Sequence, residues 1–294
     1  MVLITGGTGF IGSRVILRFV QGHIPFKILL RPKKEITKLP RDLPMNVVVS
    51  SLKDRRGLRS VLSGVTTILH FASAENNLPD PDFEAVEVEG TEILTKAAKD
   101  ARVKKILYLS RVGADVNSMY TILRAKGLAE KIIRSADLDY HILRLTDVFG
   151  EGDHFLSEFI KFIQAAPGVL PLPEGGKSIL QPIWVEDLIS AISILIQKDV
   201  FGNKVKEVGG GEFFDLQTTI KMVMAAESKR KLIMPIAPAY LRLYNLWFGQ
   251  SKRGFPLSTK WLDLLAVNRT CALDSMPRTF NLIPGRLSEF LKEL

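Results

Sequence analysis

Short apolar runs and longer amphipathic stretches alternate along the first half of the chain. Val2, Leu3 and Ile4 form an aliphatic run of the kind carried by a strand buried on both faces. After a glycine-rich interval, Phe10, Ile11, Val15, Ile16, Phe19 and Val20 recur at helical spacing and predict a helix. The pattern then repeats. Strands are predicted at 26–30, 46–50, 66–71, 105–110 and 140–145, helices at 55–62 and 83–100, and a further helix carries Tyr120, Ile122, Arg124, Lys126 and Glu130. Strand and helix in turn predict an α/β fold built on a doubly wound parallel sheet over residues 1–150. From Glu151 the alternation loosens, so 151–294 is expected to form a smaller C-terminal domain. A helix opened by 182–187 and ending near Lys198, with a last strand at 204–208, would return 181–208 to the main sheet.

The interval between the first strand and the first helix reads Thr5-Gly6-Gly7-Thr8-Gly9-Phe10-Ile11-Gly12. Glycines spaced Gly6-x-x-Gly9-x-x-Gly12 in that context point to a dinucleotide site on a Rossmann-type sheet. Gly6 allows the tight turn, Gly9 lets a pyrophosphate approach the backbone, and Gly12 lets the helix lie against the strand. The free amides and the helix dipole favour the anion, so Gly6, Thr8, Gly9, Phe10, Ile11 and Gly12 are candidate cofactor contacts. At the end of the second strand an acid would hydrogen-bond the ribose of NAD; Arg31, Lys33 and Lys34 stand there instead. Their charge suits a 2′-phosphate, which favours NADP(H) over NAD(H).

This glycine pattern resembles that of the short-chain dehydrogenase/reductase superfamily. Val88-Glu89-Gly90-Thr91, the strand ending at Ser110, Arg124-Ala-Lys126-Gly-Leu-Ala-Glu130, residues 144–150 and Gln181-Pro-Ile-Trp-Val-Glu-Asp187 extend the likeness. Together they look most like the extended or atypical branch, near the epimerase/dehydratase-like, NmrA-like and complex I accessory-subunit groups. The resemblance implies a C-terminal substrate domain, and cofactor contacts at Leu52, Phe71, Ala72, Ser73, Leu109, Lys126, Leu145 and Val148. Ser50-Ser51-Leu52 stands where family members often carry Gly-Asp-Leu, which alters the adenine contact.

In this superfamily a Tyr-x-x-x-Lys pair, a Ser and an Asn usually carry the proton chemistry. The register here places Lys126 at the lysine and Ile122 at the tyrosine. An isoleucine moves no proton, and Tyr120 is displaced by about 200° around the helix. Glu87 stands at the Asn position, and Ser110 is the candidate serine, one place before its usual position. Two readings follow. The first is an NADPH-dependent reductase or dehydrogenase of an apolar small molecule that uses Lys126 without the tyrosine, the pocket being suggested by Phe155, Phe159, Trp184 and 232–248. The second is an inactive NADP(H)-holding structural or redox-sensing module of a larger, membrane-associated assembly. His70, Asp115, Asp147, Asp153 and His154 are lesser acid–base candidates, each more often a structural group.

Composition narrows the remainder. With 46% hydrophobic and 24% charged residues the chain is ordinary globular material rather than disordered. A single cysteine, Cys271, excludes an internal disulfide framework and a cysteine metal cluster, and fits a reducing compartment. The first strand begins at Met1, so no leader is expected and the cytoplasm is the default location. The net charge of +9 is spread along the chain, which argues against nucleic acid. The apolar segment 232–248 is interrupted by prolines and too short to span a bilayer. Flanked by basic residues, it reads either as a helix lining the cleft or packed on the main domain, or as part of a peripheral contact with a membrane or a partner complex through 229–253.

Overall fold

The computed structural model describes residues 1–32, 46–75, 81–240, 243 and 267–292. Lys33 and Lys34 therefore lie outside the described residues, as does most of 241–266. The described chain divides into two compact units: Met1–Arg144 with Ile189–Lys206, and Leu145–Leu188 with Glu207–Leu294.

The first unit is organised on a seven-stranded sheet. Its strands are β1 (Val2–Thr5), β2 (Phe26–Leu30), β3 (Asn46–Val49), β4 (Thr67–His70), β5 (Lys105–Arg111), β6 (Asp139–Leu145) and β11 (Lys204–Val208), in the order β11-β6-β5-β4-β1-β2-β3. Pairing is parallel from β3 through β5, with Thr5 level with Leu29 on one side and His70 on the other. The order reverses between β1 and β4, and the C-terminal ends of these strands flank the crevice where doubly wound sheets take ligands.

Helices cover both faces because alternate strand residues point to opposite sides. Leu3, Leu29, Ile68 and Ile106 pack with Leu58 of α2 (Arg55–Val61), Leu94 of α3 (Gly90–Asp100) and Ile133 of α4 (Thr121–Ser135) in one core. On α1 (Phe10–Gln21), Val15, Ile16 and Phe19 are fully buried, and Ile16 reaches Gly7 beside Ile28. α6 (Val185–Gln197) follows the expected 182–187 opening, and β11 adds the last strand beside β6. Glu84–Glu89, ahead of α3, departs from α-helical regularity and is wound as a π-helix.

The second unit packs α5 (Phe155–Ala165) and α7 (Leu216–Ala226) around Phe149, Phe159, Phe162, Leu172, Leu180 and Ile220. Its short strands pair as β7 (Val148–Phe149) with β10 (Ile183–Trp184), β9 (Ile179–Leu180) with β12 (Phe214–Asp215), and β8 (Val169–Pro173) with β13 (Leu232–Ile236). That last pair corrects the helix read into 232–248 over 232–236, while 238–240 and 243 are helical. Leu232–Ile236 is a strand running parallel to β8, with Pro235 opposite Leu172. A ladder of two short strands tolerates a proline that a helix interior would reject. Phe159 lies in this unit's own core and Phe155 packs edge-on against it at 5.0 Å, which removes Phe159 from the expected substrate lining.

The turn that begins the sheet is held by steric exclusion. A Cβ built on Gly12 would lie 2.3 Å from the Gly6 carbonyl oxygen, a backbone contact that no rotamer relieves. Gly12→Ala is expected to cost about 1–3 kcal/mol, read as a lower urea midpoint with an unchanged slope. A midpoint equal to wild type would show that α1 can shift away from the turn freely.

Candidate functional site

β1 ends at Thr5 and the chain turns through Gly6, whose φ is +72°, a region that penalises a Cβ. The Gly9 amide closes the turn on the Gly6 carbonyl at 3.0 Å, and Gly9 caps α1 with no side-chain hydrogen bond and no acid in the first turn. Thr8 and Gly9 are exposed, Phe10 and Ile11 partly so. A Cβ added at Gly9 would meet the Gly6 carbonyl oxygen at 3.3 Å and nothing else within 4 Å. The space beside Gly9 is thus open to a phosphate, and the first-turn amides of α1 face an anion without competition from a carboxylate. The turn fits a dinucleotide pyrophosphate.

Other expected contacts fall around the same strand ends. Arg31 is exposed just beyond β2, and Leu52 is buried after β3. Phe71, Ala72 and Ser73 follow β4, each partly exposed. Thr5 Oγ1 accepts the Ala72 amide at 3.3 Å, which binds this segment to the end of β1. Leu109 is buried on β5 and offers its carbonyl to Lys126. Leu145 and Val148 belong to the second unit, Leu145 buried and Val148 paired through β7.

Lys126, on α4, is buried and engaged. Its Nζ donates to Glu87 Oε2 at 3.0 Å and to the Leu109 carbonyl at 3.3 Å, stands 3.9 Å from Glu75, and lies 5.1 Å above the Tyr108 ring. Glu87 is wholly buried and also accepts from Ser73 Oγ at 2.5 Å, the Ala74 amide at 3.1 Å and Tyr108 Oη at 3.0 Å. Burial first, then the neighbouring Glu87 charge, push the Tyr108 phenol well above its ordinary range, which keeps it a hydrogen-bond donor. Arg111 Nε faces Glu75 at 3.4 Å. Charged groups from α4, β5, the post-β4 segment and the π-helical stretch therefore meet at one end of the sheet.

The serine expected beside Lys126 is directed elsewhere. Ser110 Oγ donates to Glu130 at 2.6 Å, and Glu130 is held bidentately by Arg144. Ile122 is buried at the tyrosine position. Of the lesser candidates, Asp153 caps α5 by accepting the Leu156 and Gly150 amides, each at 2.7 Å, and Asp115 accepts the Asn117 amide. Asp147 pairs with Arg269 at 2.9 Å inside the second unit, and His154 opens α5. Among the described residues no group of three or more His, Cys, Asp or Glu is placed to hold a metal, and no helix is long and apolar enough to cross a membrane. Glu87 and Tyr108 are the buried groups around Lys126 that the sequence did not bring together with it; Glu87 read only as a replaced asparagine.

A profile of the family described as NAD(P)H-binding matches residues 6–153, about half of the chain. The chain belongs to the NAD(P)H-binding family. Within it, the relatives support the extended branch of the short-chain dehydrogenase/reductase superfamily. The mitochondrial NADH dehydrogenase [ubiquinone] 1 alpha subcomplex subunit 9 of Rattus norvegicus is 26% identical over 64% of this chain and 51% of its own length. The chain spans about half to two thirds of the length of such mitochondrial relatives. A ceramide reductase of Caulobacter vibrioides is 26% identical over 97% of this chain and 92% of its own. In fold, the NADPH-dependent quinone oxidoreductase QOR2 of Escherichia coli, solved with NADPH, superposes with a TM-score of 0.76 at 19% identity, covering 100% of this chain and 99% of that one. The family match begins at Gly6, the first glycine of the turn described above.

The histidine beside this glycine turn gives a pH signature. His70 is sealed between Thr5 Oγ1 at 2.8 Å and Thr91 Oγ1 at 3.0 Å; burial, and then the charge of Lys126, hold its pKa down at about 3, from an ordinary 6.5. The unfolded chain thus takes up a proton near pH 6.5 that the folded chain refuses until about pH 3. The stability tied to neutral His70 is complete above pH 6.5 and is lost as pH falls toward 3, by up to roughly a few kcal/mol. Urea midpoints at pH 7, 5.5 and 4.5 should fall less steeply in His70→Gln than in wild type; parallel slopes would clear His70 of the effect.

Proposed function

We propose that this chain is an NADP(H)-dependent reductase or dehydrogenase of an apolar small molecule, with Lys126 at the reaction end of the nucleotide site. The observation that carries the reading is the buried pairing of Glu87 and Lys126 at the C-terminal ends of β4 and β5. A buried ion pair is a poor way to stabilise a fold, since apolar side chains of the same volume do as well or better. Its position above the strand ends, joined to the partly exposed Ser73, is where a doubly wound sheet does chemistry. When bound, NADP(H) supplies or accepts the hydride; the chain's own residues hold the nucleotide, orient the substrate and manage the proton.

Arg31, exposed at the end of β2 where an acid would mark NAD, supports the preference for the phosphorylated cofactor. An apolar substrate is supported by the ceramide reductase relative and by the partly buried Phe155 and Trp184 of the second unit, to which we assign substrate recognition. Exposed Leu232, Met234, Tyr240 and Leu243, next to Lys229, Arg230 and Lys231, support a peripheral contact with an anionic membrane or a neighbouring subunit.

A second reading has its own support. Ser110 is bound to Glu130, and Ile122 occupies the tyrosine position, so the usual hydroxyls are absent around Lys126. With complex I accessory subunits among the relatives, this favours a cofactor-holding module without turnover.

Two measurements separate the possibilities. In calorimetric titrations at fixed salt, NADPH should bind at least about tenfold more tightly than NADH, and Arg31→Ala should erase most of that ratio while Gly9→Val abolishes binding of both. Equal affinities in wild type would dismiss the basic loop as a phosphate reader. With NADPH and a panel of apolar ketones and enones, wild type should oxidise the nucleotide and Lys126→Ala should lose about 10²-fold in rate. Tight NADPH binding with no oxidation across the panel would establish the holding module instead.

A further inference from the structure

The second unit carries a face on which basic and apolar side chains are sorted apart. Past the end of α7, Ser228 takes a φ of +52° and the Lys229 amide returns to the Met224 carbonyl at 2.8 Å. The chain then reverses into β13, so Lys229 and Arg230 stand exposed at the head of that strand. Lys231 is drawn inward, where its Nζ donates to the Ala166 carbonyl at 2.7 Å. An open cleft of about 770 Å³ lies between α7 and the start of β13, and Lys221 of α7 lines it together with Lys229 and Arg230. Among the described residues that line the cleft there is no carboxylate; Glu227, the nearest acid along the chain, is not one of them.

The ladder of β8 and β13 continues this face. Residues level with one another across a ladder point to the same side, and successive residues alternate. On the inner side Leu170 and Ile233, which are level, belong to the core of the unit. On the outer side Leu232 is level with Val169 and Met234 with Pro171. Leu232 is 70% exposed, Met234 47% and Val169 39%. The outer side is thus apolar for two successive pairs, and the cations gather where β13 begins. An exposed apolar patch rimmed by charge marks a contact surface.

Resting on the peripheral contact in the reading above, we propose that this face docks on an anionic phospholipid membrane, with a lipid phosphate seated in the α7–β13 cleft and Leu232 and Met234 entering the acyl boundary. Charge complementarity selects the occupant. In a bilayer surface the anionic phosphates lie directly above the acyl chains, and here exposed cations lie directly beside exposed apolar side chains. The long stems of Lys221, Lys229 and Arg230 let their charges stay at headgroup level while the strand residues go deeper. A protein partner suits the face less well. Lysine is depleted at protein–protein interfaces, whereas two of the three exposed cations lining this cleft are lysines. A reductase of an apolar substrate gains from the same placement, because such a substrate concentrates in the bilayer.

The test sediments the full chain with vesicles of phosphatidylcholine alone and of phosphatidylcholine with about 30% phosphatidylglycerol, at about 0.1 M salt. Wild type should bind the anionic vesicles at least about 30-fold more tightly than the neutral ones, and about 0.5 M salt should remove most of that advantage. Lys229→Glu combined with Arg230→Glu should lower affinity for the anionic vesicles at least about 30-fold. Leu232→Ser combined with Met234→Ser should lower it about tenfold and keep the preference for anionic lipid. All four positions are exposed, so both variants should keep the wild-type urea midpoint and NADPH affinity. Anionic-vesicle binding unchanged by the two charge reversals overturns the headgroup cleft, and binding unchanged by the two serines overturns insertion of the apolar face. Absence of wild-type sedimentation with either vesicle overturns membrane docking altogether and leaves the peripheral contact to a neighbouring subunit. Oxidation of NADPH on the ketone and enone panel judges the reductase reading separately from all of these.

Discussion

The site depends on a place where the chain has no room for a side chain. A Cβ on Gly6 would stand 2.5 Å from the carbonyl carbon and oxygen of Phe71 and 2.6 Å from the Ala72 nitrogen. Because that atom is absent, the turn after β1 and the segment after β4 lie against each other backbone to backbone. Thr5 reinforces the approach by sharing a hydrogen bond with the His70 ring and accepting the Ala72 amide. The nucleotide turn and Ser73 are consequently fixed in one frame.

Charge sets the second constraint. Glu87 is fully buried and Lys126 nearly so, and each is tolerable only because the other is present. Removing one member of such a pair costs about 3–5 kcal/mol, whereas exchanging both for apolar groups costs little. The pair therefore pins α4 to the π-helical stretch more than it adds to net stability. Tyr108, Ser73 and the Ala74 amide use the remaining acceptor capacity of the carboxylate, which keeps it from drawing water into the core.

Much of this frame was legible in the sequence because it is local. The strand, glycine turn and amphipathic helix at 2–21 lie within twenty residues, and the remaining strands of the first unit announce themselves as short apolar runs separated by periodic helices. The misreadings concern contacts between distant residues. Glu87 and Lys126 are 39 positions apart, and nothing in either neighbourhood says that a π turn will aim the carboxylate at the ammonium. Ser110 read as a member of the proton machinery because it lies near the end of β5, but Glu130, twenty residues on, takes its hydroxyl. Leu232–Ile236 read as part of a helix because apolar content was judged without its partner, and the ladder with Val169–Pro173 decides it.

Two departures from the family pattern, Glu87 for an asparagine and Ile122 for a tyrosine, look like separate losses when each is read alone. In space they bear on the same ammonium. With isoleucine at 122, α4 offers Lys126 no polar partner one turn earlier, so its partner must come from another element. A neutral amide at 87 would accept a hydrogen bond but leave the buried ammonium only Glu75, at 3.9 Å, as countercharge. A carboxylate supplies the bond and the countercharge together, and its second oxygen remains available to Ser73. The acid at 87 is thus the partner that the apolar residue at 122 leaves to another element.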